Sequence, residues 1–237
     1  MGKRITSQKR GRGTRRYVAL SHRYFARAKN KSFNSEGCFG VIVELMHSVS
    51  HSAPLAVVQY EDGEICYMIA PEGLAVGDQV FTGNKSSINN GNTLSLSEIP
   101  EGTFVYNIES KPGDGGKFVR SSGVFAKILA RTEGKVKLLM PSKKEKEFNA
   151  KCRATVGQVA GGGRLEKPFV KAGKKWHAMR ARGKLYPVTS AVAMNAVEHP
   201  FGSGRGRHKG KSSIAPRHAP PGRKVGKVAP RRTGRKK

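Results

Sequence analysis

Acidic residues are scarce: 16 Asp plus Glu stand against 45 Lys plus Arg in 237 residues, a formal net charge of +29. A balance this basic calls for an anionic partner. Long apolar runs are missing too. None approaches the roughly 18–20 residues that cross a bilayer, so no membrane span is expected. The only apolar stretch near the start, Tyr17-Val18-Ala19-Leu20, falls short of the ~7–15-residue core of a secretory signal, and none is expected. Cysteine is limited to Cys38, Cys66 and Cys152. Three widely spaced thiols form neither a disulfide framework nor a zinc spacing, which points to free thiols in a reducing compartment. The expectation is a soluble, intracellular protein.

What is abundant is positive charge at the two ends. Residues 1–35 carry +11, residues 36–160 carry −1, and residues 161–237 carry +19. The first stretch contains Lys9-Arg10-Gly11-Arg12-Gly13 and Arg15-Arg16, without apolar periodicity. In the last stretch Gly and Pro supply 19 of 77 residues, near the level of low-complexity chain. Such segments cannot bury enough apolar surface to offset the entropy of ordering, so alone they should be disordered and should fold against a polyanion. Lys and Arg neutralise phosphates and release counterions, and Arg also binds phosphate bidentately or stacks on a base. A solvated polybasic tail is the plainer alternative. Among the cations stand Tyr17, Tyr24, Phe25, Phe33, Phe169, Trp176, Tyr186 and Phe201. Aromatics so placed suit stacking on unpaired bases. Trp176, between Lys174-Lys175 and His177, keeps two readings, a base platform or packing within the tail.

The near-neutral centre reads as β. Cys38–Leu45, Leu55–Tyr60, Glu64–Ile69, Gln79–Thr82, Thr103–Ile108, Gly123–Arg131, Lys135–Met140, Lys146–Asn149 and Thr155–Val159 are short runs separated by turn residues. Glu61-Asp62-Gly63 between two of them is a hairpin signal. Many short strands at this spacing suggest small barrels or a sandwich, with a seam between Thr82 and Ile99.

Several motifs tempt a chemical reading and do not sustain it. His47 and His51 are four apart, but the HExxH acid is missing and Ser48-Val49-Ser50 is a poor helix. Gly113-Asp114-Gly115-Gly116-Lys117 and Gly161-Gly162-Gly163-Arg164 do not complete the GxxxxGK[ST] pattern of a phosphate loop. No metal, cofactor or catalytic constellation is expected, and the reading is of a protein that is not an enzyme.

One string carries more. Met194-Asn195-Ala196-Val197-Glu198-His199-Pro200-Phe201-Gly202-Ser203-Gly204 closely resembles the M-N-P-V-[DE]-H-P-[HF]-G-G-G signature of the large-subunit ribosomal protein two family. Residues 107–113 (Asn-Ile-Glu-Ser-Lys-Pro-Gly), 150–157 (Ala-Lys-Cys-Arg-Ala-Thr-Val-Gly) and 171–176 (Lys-Ala-Gly-Lys-Lys-Trp) agree with it. Met1-Gly2-Lys3-Arg4-Ile5, Gly11-Arg12-Gly13-Thr14 and residues 219–226 (Ala-Pro-Pro-Gly-Arg-Lys-Val-Gly) are similar to its archaeal and eukaryotic branch, an archaeal source fitting best. The resemblance runs through nearly the whole chain. Ala196 stands where the family has Pro, freeing φ at that position. Ser203 stands where it has Gly, from which position 203 is expected not to need a positive φ.

The resemblance implies a mainly β fold: a basic N-terminal extension (1–35), an OB-like barrel (36–85), an SH3-like barrel (86–160) and a basic C-terminal extension (161–237). It implies a primary rRNA-binding protein of the large ribosomal subunit, near the peptidyl-transferase region, that supports subunit association. Its partners would be large-subunit rRNA, neighbouring large-subunit proteins and, at the interface, the small subunit. The residues expected on rRNA are Arg4, Arg10, Arg12, Arg15, Arg16, Lys174, Lys175, Trp176, Arg180, Arg182, Asn195, His199, Arg205, Arg207, Lys209, Arg223 and Lys224. The family histidine discussed for peptidyl transfer falls on His199, which is read as a hydrogen-bond donor shaping the site rather than a proton carrier. A chromatin-like DNA-binding protein and a nucleic-acid-processing enzyme are the rival classes.

Overall fold

The computed structural model describes residues 2–32, 37–84 and 87–233. Phe33 and the expected domain limits at 35/36 and 85/86 lie outside them. The chain forms two compact units, residues 21–168 and residues 1–20 with 169–237.

The larger unit holds the main β-sheet. The strands β1 (Cys38–Met46), β2 (Leu55–Tyr60), β3 (Ile65–Ile69) and β4 (Gln79–Thr82) make the OB-like half. The SH3-like half contains β5 (Thr93–Ser95), β6 (Phe104–Tyr106), β7 (Ala126–Thr132), β8 (Lys135–Leu139), β9 (Glu145–Asn149) and β10 (Arg153–Val156). Among the described residues they join in one sheet, in the order β3-β2-β1-β4-β5-β10-β6-β7-β8-β9. All these pairings are antiparallel except β4–β5, a parallel contact of Thr82 with Thr93. The Asp-Gly hairpin is present: Tyr60 donates to the Glu64 carbonyl at 3.0 Å and Gly63 to the Tyr60 carbonyl at 2.9 Å.

Alternation along the strands separates core from surface. Ile42, Val58, Tyr60, Met68 and Val80 fill the first barrel. Leu94, Leu96, Ile99, Val105, Ile128, Leu138 and Phe148 fill the second, with Cys152 among them. Leu55, Ile69, Tyr106 and Val159 form a third cluster, where the Tyr106 hydroxyl donates to the Ile69 carbonyl at 3.1 Å. Burial pushes the Tyr60 hydroxyl up to about 12, so it stays protonated, within 2.9 Å of Thr82 Oγ1. The three thiols are free.

Part of the N-terminal basic stretch belongs to this unit. Ala28, Asn30 and Lys31 are buried. The Lys31 ammonium bonds Asp62, lies 3.1 Å from Glu64 and sits 4.5 Å from the Tyr60 ring centroid. Burial pulls its pKa down, but the hydrogen bonds to Asp62 and Glu64 more than offset this, and the net shift is upward.

Two of the strings that carry the family resemblance meet in the same place. Glu109, fully buried, accepts from Arg153 Nη2 at 2.7 Å, Arg153 Nε at 3.1 Å and the Arg153 backbone N–H at 3.0 Å. It also accepts the backbone N–H groups of Gly113 and Gly115, at 3.1 and 3.2 Å. Asp114 takes those of Ser110, Lys111 and Gly116. The glycine loop therefore points its amides at two carboxylates of its own chain, which leaves those donors engaged rather than open to a phosphate. In the other histidine motif, His51 Nδ1 lies 2.9 Å from Ser48 Oγ and 2.7 Å from Ser50 Oγ in a loop, without a helical face.

The smaller unit has α1 (Thr6–Arg10), α2 (Ala172–Ala181) and the two-residue parallel pair β11 (Ile214–Ala215) and β12 (Lys227–Val228). Among its described residues only Ile5, Phe201, Gly202 and Ala215 are buried. It has almost no core, as expected from its composition. α2 is a helix that composition alone does not announce. Its ten residues are marginal for a free helix, and it has no side-chain cap and no acid in its first turn.

Candidate nucleic-acid interface

The smaller unit concentrates the charge: 26 of the 45 basic residues and one acid, Glu198. Its two chain ends converge through backbone bonds. The Lys3 N–H donates to the Val197 carbonyl at 2.7 Å, and Lys3 Nζ lies 3.7 Å from Glu198. At the end of α2, Gly183 adopts φ +63°, and a Cβ there would fall 2.7 Å from the Ala19 nitrogen. Only glycine lets residues 17–19 cross so close.

Among the described residues three clefts stand out. One, of about 640 Å³, is lined by Arg10, Arg16, Met194, His199 and Lys224, with apolar walls from Leu185, Pro187 and Val188. A second, of about 250 Å³, brings Arg4 together with Lys3, Lys9, Asn195 and Glu198. A third, of about 110 Å³, is bounded by Arg16, Trp176, Arg180, Lys184, Leu185 and Tyr186. Arg180 follows Trp176 by one turn of α2, so the two share a face, and its guanidinium carbon lies 5.2 Å from the indole ring. Lys175 Nζ lies 5.3 Å from the Tyr186 ring. Both contacts are within cation–π range.

The His-Pro loop is a tight turn. The Asn195 carbonyl accepts the N–H groups of Glu198 at 2.9 Å and His199 at 3.2 Å, and the Gly202 N–H returns to the His199 carbonyl at 2.9 Å. A Cβ on Gly202 would lie 2.4 Å from the carbonyl oxygens of Met194 and Asn195, so this glycine is required by contact. Ser203 corrects the expectation made for it: its φ is 148°, a positive value. The chain must leave the crowded Gly202 position and enter Gly204 at φ +72°, and the serine carries a backbone conformation that glycine would hold more cheaply.

Phe201 donates its backbone N–H to His199 Nδ1 at 3.0 Å, and its buried ring lies 5.1 Å from the imidazole. Lys209 Nζ caps that ring at 5.4 Å. Because Nδ1 accepts, the proton of the neutral ring is assigned to Nε2, which makes Nε2–H the donor of the ring. Burial lowers the His199 pKa below the ordinary 6.5. The turn's contribution to stability is therefore complete above about pH 6.5 and declines as pH falls through the lower folded value, where Nδ1 gains a proton and loses the Phe201 bond. A ring-nitrogen NMR titration should give a His199 midpoint below 6.5 and an Nε2–H tautomer at pH 7.5. A midpoint above 6.5, or an Nδ1–H tautomer, would contradict this geometry.

Of the residues expected on rRNA, Arg4, Arg10, Arg16, Trp176, Arg180, Asn195, His199 and Lys224 line these clefts. Lys175 and Lys209 stand over aromatic rings. Arg12, Arg15, Lys174, Arg182, Arg205, Arg207 and Arg223 are exposed and line none of the three. Lys184 and Tyr186, absent from the expected set, complete the Trp176 cleft. The alternation of Tyr186 with cations was the available signal, but the cleft depends on α2, which the sequence pattern did not indicate.

The family model described as Ribosomal Proteins L2, RNA binding N-terminal domain, matches residues 2–82, and the one described as Ribosomal Proteins L2, C-terminal domain, matches residues 89–219. Large ribosomal subunit protein uL2 of Methanothermobacter thermautotrophicus is 51% identical over 241 residues, covering 100% of both chains. Its namesake in Methanococcoides burtonii is 50% identical over 237 residues, again covering 100% of both. That of Haloarcula marismortui is 50% identical over 236 residues, covering 99% of this chain and 98% of its own. Both halves of the β unit and both basic ends are therefore shared, and this chain belongs to the ribosomal protein L2 family.

Proposed function

We propose that the protein is a structural, rRNA-binding constituent of the large ribosomal subunit, acting by architecture rather than by turnover. The full-length likeness to archaeal large-subunit proteins supports this reading, and the carrying observation is a unit with 26 cations, one acid and almost no core, eight of whose Lys and Arg line its clefts. The β unit has its own core and sets the register of the docked protein. The basic unit threads between RNA helices, neutralises phosphates, and is held by shape and backbone contacts rather than by base sequence.

Within that role, the residues set on rRNA are the cleft-lining group named above, joined by the exposed arginines and lysines of both ends. His199 offers its Nε2–H to an RNA acceptor and shapes the peptidyl-transferase region without moving protons in the reaction. Neighbouring large-subunit proteins and the small subunit complete its contacts, and its place is the cytoplasmic ribosome. Cosedimentation through a high-salt gradient tests the role: the protein should travel with the large subunit. Recovery in the soluble fractions alone would reject it. Equal affinity for DNA and rRNA fragments at 150 mM salt would favour the chromatin-like rival. Subunits reconstituted with His199→Ala should show reduced occupancy or peptide-bond formation. Wild-type values for both would remove His199 from the site.

A further inference from the structure

We infer that the Trp176 cleft and the larger cleft beside it hold two consecutive nucleotides of single-stranded RNA, with one unstacked base seated on Trp176. This rests on the rRNA-binding reading and adds to it a specific ligand conformation. The two clefts share Arg16 and Leu185 as a common wall. On the smaller side stand two aromatic rings, Trp176 and Tyr186, and three cations, Arg16, Arg180 and Lys184. Trp176 is 39% exposed, so its indole remains accessible although α2 orders its backbone. Arg180 lies over the indole and Lys175 over the Tyr186 ring. An incoming base replaces these cations on the ring faces and frees them for its phosphates.

On the larger side, Arg10, Arg16 and Lys224 surround a space that His199 also lines. Neither cleft has an acidic residue among its described lining residues, so nothing in the walls opposes a phosphate. Arg16, on the partition, is placed for the phosphate linking the two nucleotides. The close crossing at Gly183 brings residues 17–19, and with them Arg16, to the end of α2. A duplex cannot use this arrangement, because its bases are stacked and only an extruded or unpaired base presents its face to an aromatic ring.

Trp176 is the single tryptophan of the chain, so intrinsic emission reports on the cleft directly. The full chain is titrated with a labelled seven-nucleotide single-stranded RNA, with an RNA duplex of the same length, and with inorganic phosphate at matched ionic strength. Anisotropy of the labelled RNA measures binding independently of the tryptophan. The expected result is that the single strand quenches the emission by about half or more, whereas duplex and phosphate leave it nearly unchanged. Tyr186→Ala should weaken single-strand binding roughly 5- to 150-fold, the range for losing one aromatic stacking partner of a base, with Tyr186→Phe retaining most of it. Single-strand binding by anisotropy without a change in emission overturns the inference and leaves the rRNA reading standing, as does equal quenching by duplex. Absence of binding to either RNA removes both. Should Tyr186→Ala fail to fold, the wild-type emission titration still decides.

Discussion

Glu109→Ala is expected to destabilise the β unit by about 3–5 kcal/mol, the usual cost of removing one partner from a buried ion pair. That is a large share of the roughly 5–15 kcal/mol that holds a domain folded. The carboxylate is fully buried and receives five donors, three of them from Arg153, which is itself 6% exposed. Alanine would remove the buried carboxylate that balances the Arg153 charge and leave the Gly113 and Gly115 amides without their acceptor. The damage should spread, because Arg153 Nη1 also donates to the Lys31 carbonyl at 2.6 Å. Residues 28–32 lose that anchor, so their amides should exchange faster in the variant. Urea unfolding measures the loss. The double variant Glu109→Ala/Arg153→Ala should be less destabilised than the sum of the two single changes, since neither buried charge is then left without its counter-charge. Strict additivity, or a loss below about 1 kcal/mol, would show that the pair does not act as a unit.

How much of this could be read from the sequence depends on where the determining contacts lie. Val41, Val58 and Val80 sit in short β-branched runs bounded by turn residues, so β1, β2 and β4 were legible from local pattern alone. Leu55–Tyr60 and Gln79–Thr82 match the expected limits, and β1 extends one residue beyond Leu45. β5 was not legible. Thr93-Leu94-Ser95 is three residues long and buried on all of them, so no alternation marks it, and it fell inside the expected seam. The Glu109–Arg153 pair joins positions 44 apart. Both residues lie in strings recognisable by family likeness, but nothing local says that they touch. In the basic unit the charge was plain and the clefts were not. They require residues near 16 to lie against residues near 185, and a near-coreless segment gives no hydrophobic pattern from which to infer such a meeting. Ser203 shows the limit from the other side: residue type argued against a positive φ, and the crowded turn at Gly202 imposed one.

The affinity of the full chain for an rRNA fragment should fall about 10³- to 10⁵-fold between 50 and 200 mM salt, as it does for a protein engaging some 6–10 phosphates. The basic unit carries a single acid against its 26 cations, so few of its Lys and Arg have an internal partner that competes with phosphate. Two cations of the second barrel differ. Lys135 lies 3.3 Å from Glu147 and Lys137 lies 2.6 Å from Glu145, so each has a carboxylate of its own. Changing Arg10, Arg12, Arg15 and Arg16 together to Ser should therefore flatten the plot of log affinity against log salt by roughly 3–4, about one per lost phosphate contact. Changing Lys135 and Lys137 to Gln should alter it by less than about one. The quadruple change removes no buried side chain, since all four arginines are classed as exposed, and the β unit should unfold at an unchanged urea midpoint. A slope that ignored the four arginines, or that answered equally to the two lysines, would mean that charge in this chain acts through its total. The expected contrast requires that it act through its placement, with phosphate meeting the chain ends and the barrels keeping their charges for themselves.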